Sequence, residues 1–439
     1  MVGALVASSG LLGSAASPAV AASKDALSTS LPVDPKSTLT VHPPVYDNTV
    51  VIVATFAKPY AYKNRVVSLQ RQDGVGWKEV KAAKMDSAGS VEFRLTKSAT
   101  SPYDTYTYRA VTEKFKYKKK WQSLASTQTV VAGSQWAQSF NDDFNTFDST
   151  SWATRSDGVS AGSRQCSMPR PENATIAGGA LALTMDKATG SLEGQIVQSA
   201  KTAQQAEKDA AIKAAQTAVD KAKAQLAAAK TKAAKKKADA ALKKANAALK
   251  KAKAMKIVGC PKRAYTNAMV GTSGEVSVKQ GIVAARIKFP KGQGMHGSAW
   301  LQSPTGQEID FIESFGYGKG IASVIHVPEK GSLKKYPSKA ADGYVLKSDV
   351  KKSSWWSKYH VFSVEFDTTR VVFRIDGKVT RTINKKLAAQ DYVLVLSLLS
   401  SDWELPLLTK PGKGAKGVKK TSLPSTMLVD WVSYWEKAA

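Results

Sequence analysis

Between residues 308 and 313 the chain reads Glu308-Ile309-Asp310-Phe311-Ile312-Glu313, three carboxylic acids interleaved with three large apolar residues. On a plain strand, side chains alternate with period two, so Glu308 and Asp310 share a face and Glu313 falls on the other. A β-bulge between Asp310 and Glu313 adds one residue. It brings all three acids onto one concave surface, with Ile309 and an apolar neighbour turned into the core. Three like charges side by side are unfavourable as structure alone and ask for a chemical reason. Cleavage of a glycosidic bond with retention supplies one. It needs two carboxyl groups about 5–5.5 Å apart, one ionised to attack the anomeric carbon and one protonated to serve the leaving oxygen. Crowding raises the pKa of one carboxyl and so separates the two roles. Once the attacking group is an ester its charge is gone, and the former acid can take a proton from water.

Such a strand needs a sheet to hold it, and residues 139–436 provide one. Leu181 to Met185, Gly281 to Phe289, Tyr359 to Phe366, Arg370 to Ile375, Tyr392 to Leu399 and Met427 to Trp435 read as strands, with Asp376-Gly377 as a hairpin turn. Loops rather than helices join nearly all of them, which predicts a mainly β fold, an antiparallel jelly-roll sandwich. A second β-rich stretch, residues 37–131, carries short strands at sandwich-like spacing and reads as an immunoglobulin-like accessory module. Its Trp77 and Trp121 either grip carbohydrate or fill the module's own core.

Lys201 to Lys256 differs in kind, with sixteen Lys, four acids and no Gly or Pro. Ala and Lys favour helix. Ile212, Val219 and Leu226 recur at seven, with Ala215, Ala222 and Ala229 three residues after each; Leu242, Leu249, Ala245 and Ala252 repeat the scheme. One straight helix would reach roughly 84 Å and strand its far end, so two antiparallel helices are expected, 201–229 and 236–256. This hairpin, 201–256, is either a basic arm for an anionic cell-wall polymer, an anionic polysaccharide or nucleic acid, or a solvated insertion without a partner.

The whole chain carries 64 Lys and Arg against 35 Asp and Glu, a formal charge of +29 in 439 residues. The hairpin holds +12 of it, and the remainder is too dilute for a nucleic-acid footprint. Residues 1–22 are small and apolar and end in Ala19-Val20-Ala21, an A-x-A-like cleavage site, which predicts a secreted product. No Lys or Arg precedes Ala22, so the leader is expected to begin upstream. No run is long and apolar enough for a membrane span. Two cysteines in an exported protein favour a disulfide, Cys166 with Cys260.

The pattern Glu308-x-Asp310-x-x-Glu313 resembles the catalytic signature of glycoside hydrolase family 16, in the bulged form of its laminarinase-like members. Gly292 to Leu301 resembles the strand before the signature, Tyr359 to Phe366 with Ile375-Asp376-Gly377 the later hairpin, and Val429-Asp430-Trp431-Val432 the closing strand. The resemblance implies a concanavalin A-like jelly roll over 139–436 with Glu308 as nucleophile, Glu313 as acid/base and Asp310 tuning the nucleophile. Trp300 is either a sugar platform or a core side chain. His326, which resembles a histidine bordering the cleft, is either that or an ordinary strand histidine. The resemblance further implies Asp430 as a ligand of a structural calcium ion, while the chemistry itself requires no cofactor. Ser400-Ser401-Asp402-Trp403-Glu404-Leu405-Pro406 departs from the Gly-Gly-containing turn of many members, and Trp403 and Glu404 either line the cleft or end a strand. The expected activity is endo-hydrolysis of a β-1,3- or mixed β-1,3/1,4-glucan. The alternatives are action or glycosyl transfer on another polysaccharide, such as a sulfated galactan, and a non-catalytic wall-binding protein.

Overall fold

The computed structural model describes residues 31–34, 36–43, 45, 49–57, 63–86, 89–96, 106–126, 130–131, 136–155, 164–260, 263–273, 276–316, 321–329, 332–336, 356–408 and 421–437. The expected leader, 1–22, lies outside them. The chain divides into two compact units, one of residues 1–41 and 51–133, the other of 42–50 and 134–439.

The first unit contains two main sheets. One includes Val66–Asp73, Gly76–Lys84 and Thr107–Thr112, and the other Ser90–Thr96 with most of Thr38–His42 and Thr49–Thr55. A strand upstream of residue 37, Val33–Asp34, pairs in parallel with Ala125–Ser126. Asp73 and Gly76 close a tight hairpin in which Gly74 adopts φ +57°, a left-handed turn conformation that glycine takes without a Cβ penalty. Trp121 is 69% exposed and Trp77 lies under the Arg109 guanidinium, so neither fills a core.

The second unit holds the acid-bearing strand. Its principal elements are β1 (Trp136–Asp142), β2 (Leu181–Lys187), α1 (Gly190–Ala228), α2 (Lys232–Lys253), β3 (Tyr265–Thr272) and β4 (Gly281–Lys288). There follow β5 (His296–Gln302), β6 (Glu308–Ser314), β7 (Ile321–Glu329), β8 (His360–Phe366), β9 (Arg370–Ile375), β10 (Lys378–Asn384), β11 (Val393–Leu399) and β12 (Ser425–Lys437). Hydrogen-bonded order runs β7-β6-β5-β11-β3 and on through β2-β12-β4-β8-β9-β10, an antiparallel sheet curled so that its two halves share one core. Ile309, Ile312, Leu301, Leu394 and Leu396 from the first half meet Val283, Phe362, Val364 and Phe373 from the second. The expected mainly β jelly roll is the fold observed. The Asp376-Gly377 turn joins β9 to β10 with both residues at positive φ, as a type I′ hairpin requires.

The helical insertion is a hairpin, and α1 begins at Gly190, eleven residues before the expected start. Its first turns are tethered: Ile196 and Ala200 are fully buried, and Gln204 donates to the Gly259 carbonyl at 2.9 Å while accepting from the amides of Val258 and Gly259. Further out, Ala215, Val219 and Ala222 of α1 and Ala238, Ala245 and Ala252 of α2 are buried; all but Ala238 belong to the seam read from the sequence, whose Ile212, Leu226, Ala229, Leu242 and Leu249 are half-buried. Thr231 caps α2 by accepting from Ala234 N at 3.1 Å, and Lys250, Lys251 and Lys253 sit on its last turn, where cations suit the helix dipole. Cys166 and Cys260 are disulfide-bonded with Cα atoms 5.4 Å apart and a sequence separation of 94, closing a loop worth about 4–5 kcal/mol in the chain-entropy account. Among the described residues, no helix is long and apolar enough to cross a membrane.

Candidate active site

The bulge is where the spacing of the acids placed it. Against β7, Asp310 lies opposite Val324 and Glu313 opposite Ala322, three steps on one strand against two on the other. Against β5, Trp300 faces Asp310 and Ala299 faces Ile312, so Phe311 is the extra residue. Its carbonyl accepts a hydrogen bond from Ser323 at 3.0 Å. Ile309, Phe311 and Ile312 are buried in the core, and the three acids share the opposite face. Beside them on β5, Gln302, Trp300 and Ser298 face Glu308, Asp310 and Glu313 in turn.

The acids carry unlike charge environments. Burial first, then the charge of Asp310, pushes the Glu308 carboxyl up to about 7, while His326 and Arg164 pull it down. His326 Nε2 stands 3.2 Å from Asp310 Oδ2 and 3.6 Å from Glu308 Oε1, so it belongs to the cluster and not merely to its strand. At the other end, His296 Nε2 lies 3.0 Å from Glu313 Oε1 and its Nδ1 3.3 Å from Glu404 Oε2. Burial works against the imidazolium. Hydrogen bonds to Glu313 and Glu404 and the charges of both outweigh it and hold the pKa up at about 9.

Trp300 is half-buried, donates from Nε1 to Ser397 Oγ at 3.2 Å, and borders a recess of about 210 Å³ with Arg155, Arg164, Met269 and Gln302. Trp403 is 59% exposed on the turn after β11. Two expectations need correction. Glu404 does not line the cleft: it is 1% exposed and stands behind His296, its Oε2 accepting from Ser401 N at 2.7 Å. Asp430 does not suit a calcium site, because Arg286 holds its Oδ2 in an ion pair and a calcium ion at this carboxylate would face the guanidinium charge. Among the described residues the group close enough to share a metal ion is Glu308, Asp310 and His326, with ligand atoms within 4.8 Å.

Sequence reading passed over His296, Arg155 and Arg164. For His296 a signal existed. It stands an even number of residues before Trp300 on the same strand, hence on the same face. Nothing local pointed to the arginines, which reach the recess from loops.

Residues 220–403 match the family model described as Glycosyl hydrolases family 16, a stretch running from within α1 to Trp403 and containing the whole acid signature. Over that stretch the chain is similar to the glycoside hydrolases of that family. No curated protein matches it. Among solved structures, it is similar to the laminarinase catalytic domain from Thermotoga maritima MSB8, at 16% identity and TM-score 0.43, over 69% of this chain and 98% of that one. It is also similar to the endo-beta-1,3-glucanase from Pyrococcus furiosus, at 16% identity and TM-score 0.43, over 74% and 99%. At such TM-scores these likenesses carry no argument of their own.

Proposed function

We propose that this chain is an exported, retaining endo-glycosidase that hydrolyses β-1,3- or mixed β-1,3/1,4-glucan by double displacement. The observation that supports it is the bulge at Phe311, which gives Glu308, Asp310 and Glu313 one common face beside Trp300. Glu308, ionised, attacks the anomeric carbon while Glu313 protonates the departing oxygen; Glu313 then deprotonates the water that releases the sugar. Since the Glu308 carboxyl titrates at about 7, the attacking anion is lost as pH falls through neutrality, and kcat/KM is expected to drop on that side.

Release of reducing ends from laminarin, lichenan, agarose and carrageenan tests the substrate, with Glu308→Gln alongside. Hydrolysis of a β-glucan that vanishes in the variant supports the reading. Sugar binding with no cleavage across the panel sinks it in favour of a wall-binding protein. One observation favours a second reading: Arg155 and Arg164 border the recess next to Trp300, a placement suited to an anionic sugar such as a sulfated galactan. Activity confined to carrageenan would select it.

The exposed lysines of the hairpin fit an anionic cell-wall polymer. Replacing Lys235, Lys236, Lys237, Lys243 and Lys244 by Gln leaves the tether at Gln204 intact. The variant is expected to lose salt-sensitive retention on isolated walls, and unchanged retention removes the role.

A further inference from the structure

We propose that His296, clamped between Glu313 and Glu404, is a positioning residue that orients the Glu313 carboxyl group and stabilises the anion left when its proton passes to the sugar. This rests on the acid/base role given to Glu313 above.

A neutral imidazole has one N–H and can donate to one partner; only the imidazolium donates from both nitrogens. Here both nitrogens face acid groups, Nε2 toward Glu313 and Nδ1 toward Glu404, and the doubly protonated ring is the form that donates to both when they are ionised. The titratable groups facing the ring are Glu313 from β6 and Glu404 from the turn after β11, with Glu308 the next charge beyond Glu313. The Phe315 ring, 4.6 Å between centroids, covers one side of the imidazole and limits water there.

The site behind the ring is built. Glu404 is anchored by Ser401 N, and the preceding residue pair is fixed through Asp402, whose carboxylate accepts from the amides of Gln165 and Cys166 at 2.9 Å each. Gly294, two residues before His296, has φ +90°. A Cβ there would lie 2.9 Å from the Glu404 carbonyl oxygen and 2.8 Å from Leu408, so glycine is what lets the start of β5 approach this turn.

The consequence follows from charge. An imidazolium in contact with Glu313 favours its ionised form, which makes the group a stronger acid in the first step and a weaker base in the second. Glu404 holds the imidazole charged while this happens. The pattern is that of a catalytic group oriented by a second residue, itself held by a third.

The chain has four histidines, so ¹H–¹⁵N correlation spectra of its imidazoles are simple, and the His296 signals are those lost in His296→Gln. His296 is expected to stay doubly protonated through pH 8 and to titrate near 9, with Glu404→Gln lowering that midpoint by about one unit or more. A midpoint near the ordinary imidazole value overturns the proposal, and this readout needs no substrate. On whichever polysaccharide the panel identifies, His296→Gln is expected to move the alkaline limb of kcat/KM up by about one unit, with kcat changed more than KM. Lowered activity with an unmoved limb means a structural role only and also overturns it. If His296→Gln does not fold, Glu404→Gln carries both measurements, with a smaller shift of the limb in the same direction. Absence of any hydrolysis by the unmodified protein would defeat the proposed function and leave the imidazole titration to decide this point.

Discussion

At the first end of β6, Glu308 sits half-buried beside Asp310 and His326; at the other, Glu313 meets a buried histidine that is itself held by Glu404. At the first end burial, and after it the charge of Asp310, push the Glu308 carboxyl up to about 7 against the pull of His326. The other end sets one histidine between two acids, and the imidazole is pushed up to about 9. A single strand therefore presents two identical side chains in different surroundings. At the Glu313 end, hydrogen bonds and charges from two acids favour the imidazolium. The difference between the ends lies in which element backs each one: β7 behind Glu308, and β5 with the 401–408 turn behind Glu313.

Glu308→Gln gives the largest test of this asymmetry. Removing the attacking anion is expected to lower kcat by roughly 10⁴-fold or more on any cleaved glycan, and near-normal turnover would abolish the assignment of the two ends. Glu313→Ala comes next. It should cost about 10²–10⁴-fold on polysaccharide but much less on an aryl glycoside whose leaving group needs no proton, and an equal loss on both would break the distinction. Smallest are the paired changes around Glu308. Asp310→Asn removes a like charge, favours the ionised carboxylate and should move the acid limb of kcat/KM to lower pH by about one unit. His326→Gln removes a group that lowers the Glu308 pKa and should move the same limb upward by less. Shifts of the same sign in both variants would mean that their charges are not what sets the limb.

The bulge was legible because 308, 310 and 313 cannot share a face at period two, and the chemistry required that they do. The hairpin seam was legible because Ala and Lys leave helix as the only economical state and the apolar positions recur at seven. The start of α1 was not. Gly190-Ser191-Leu192-Glu193-Gly194 carries two glycines and reads as loop; what holds it in helix is the burial of Ile196 and Ala200 and the grip of Gln204 on residues 258–259. Asp430 was misread for a similar reason, since its partner Arg286 lies on a strand far away in sequence. Glu404 shows the same limit from the other side: its type and place in a departing turn were noticed, but its burial behind His296 depends on the approach permitted at Gly294.

What the amino-acid order settled alone are properties carried by neighbours along the chain: strand parity and its one-residue break, helix propensity and heptad spacing, and the family signature. Which carboxyl carries a proton, which histidine is charged and which acid meets an arginine were decided by folding, because a charge in a partly buried site responds to whatever stands within a few ångströms, and those neighbours arrive from distant strands and turns.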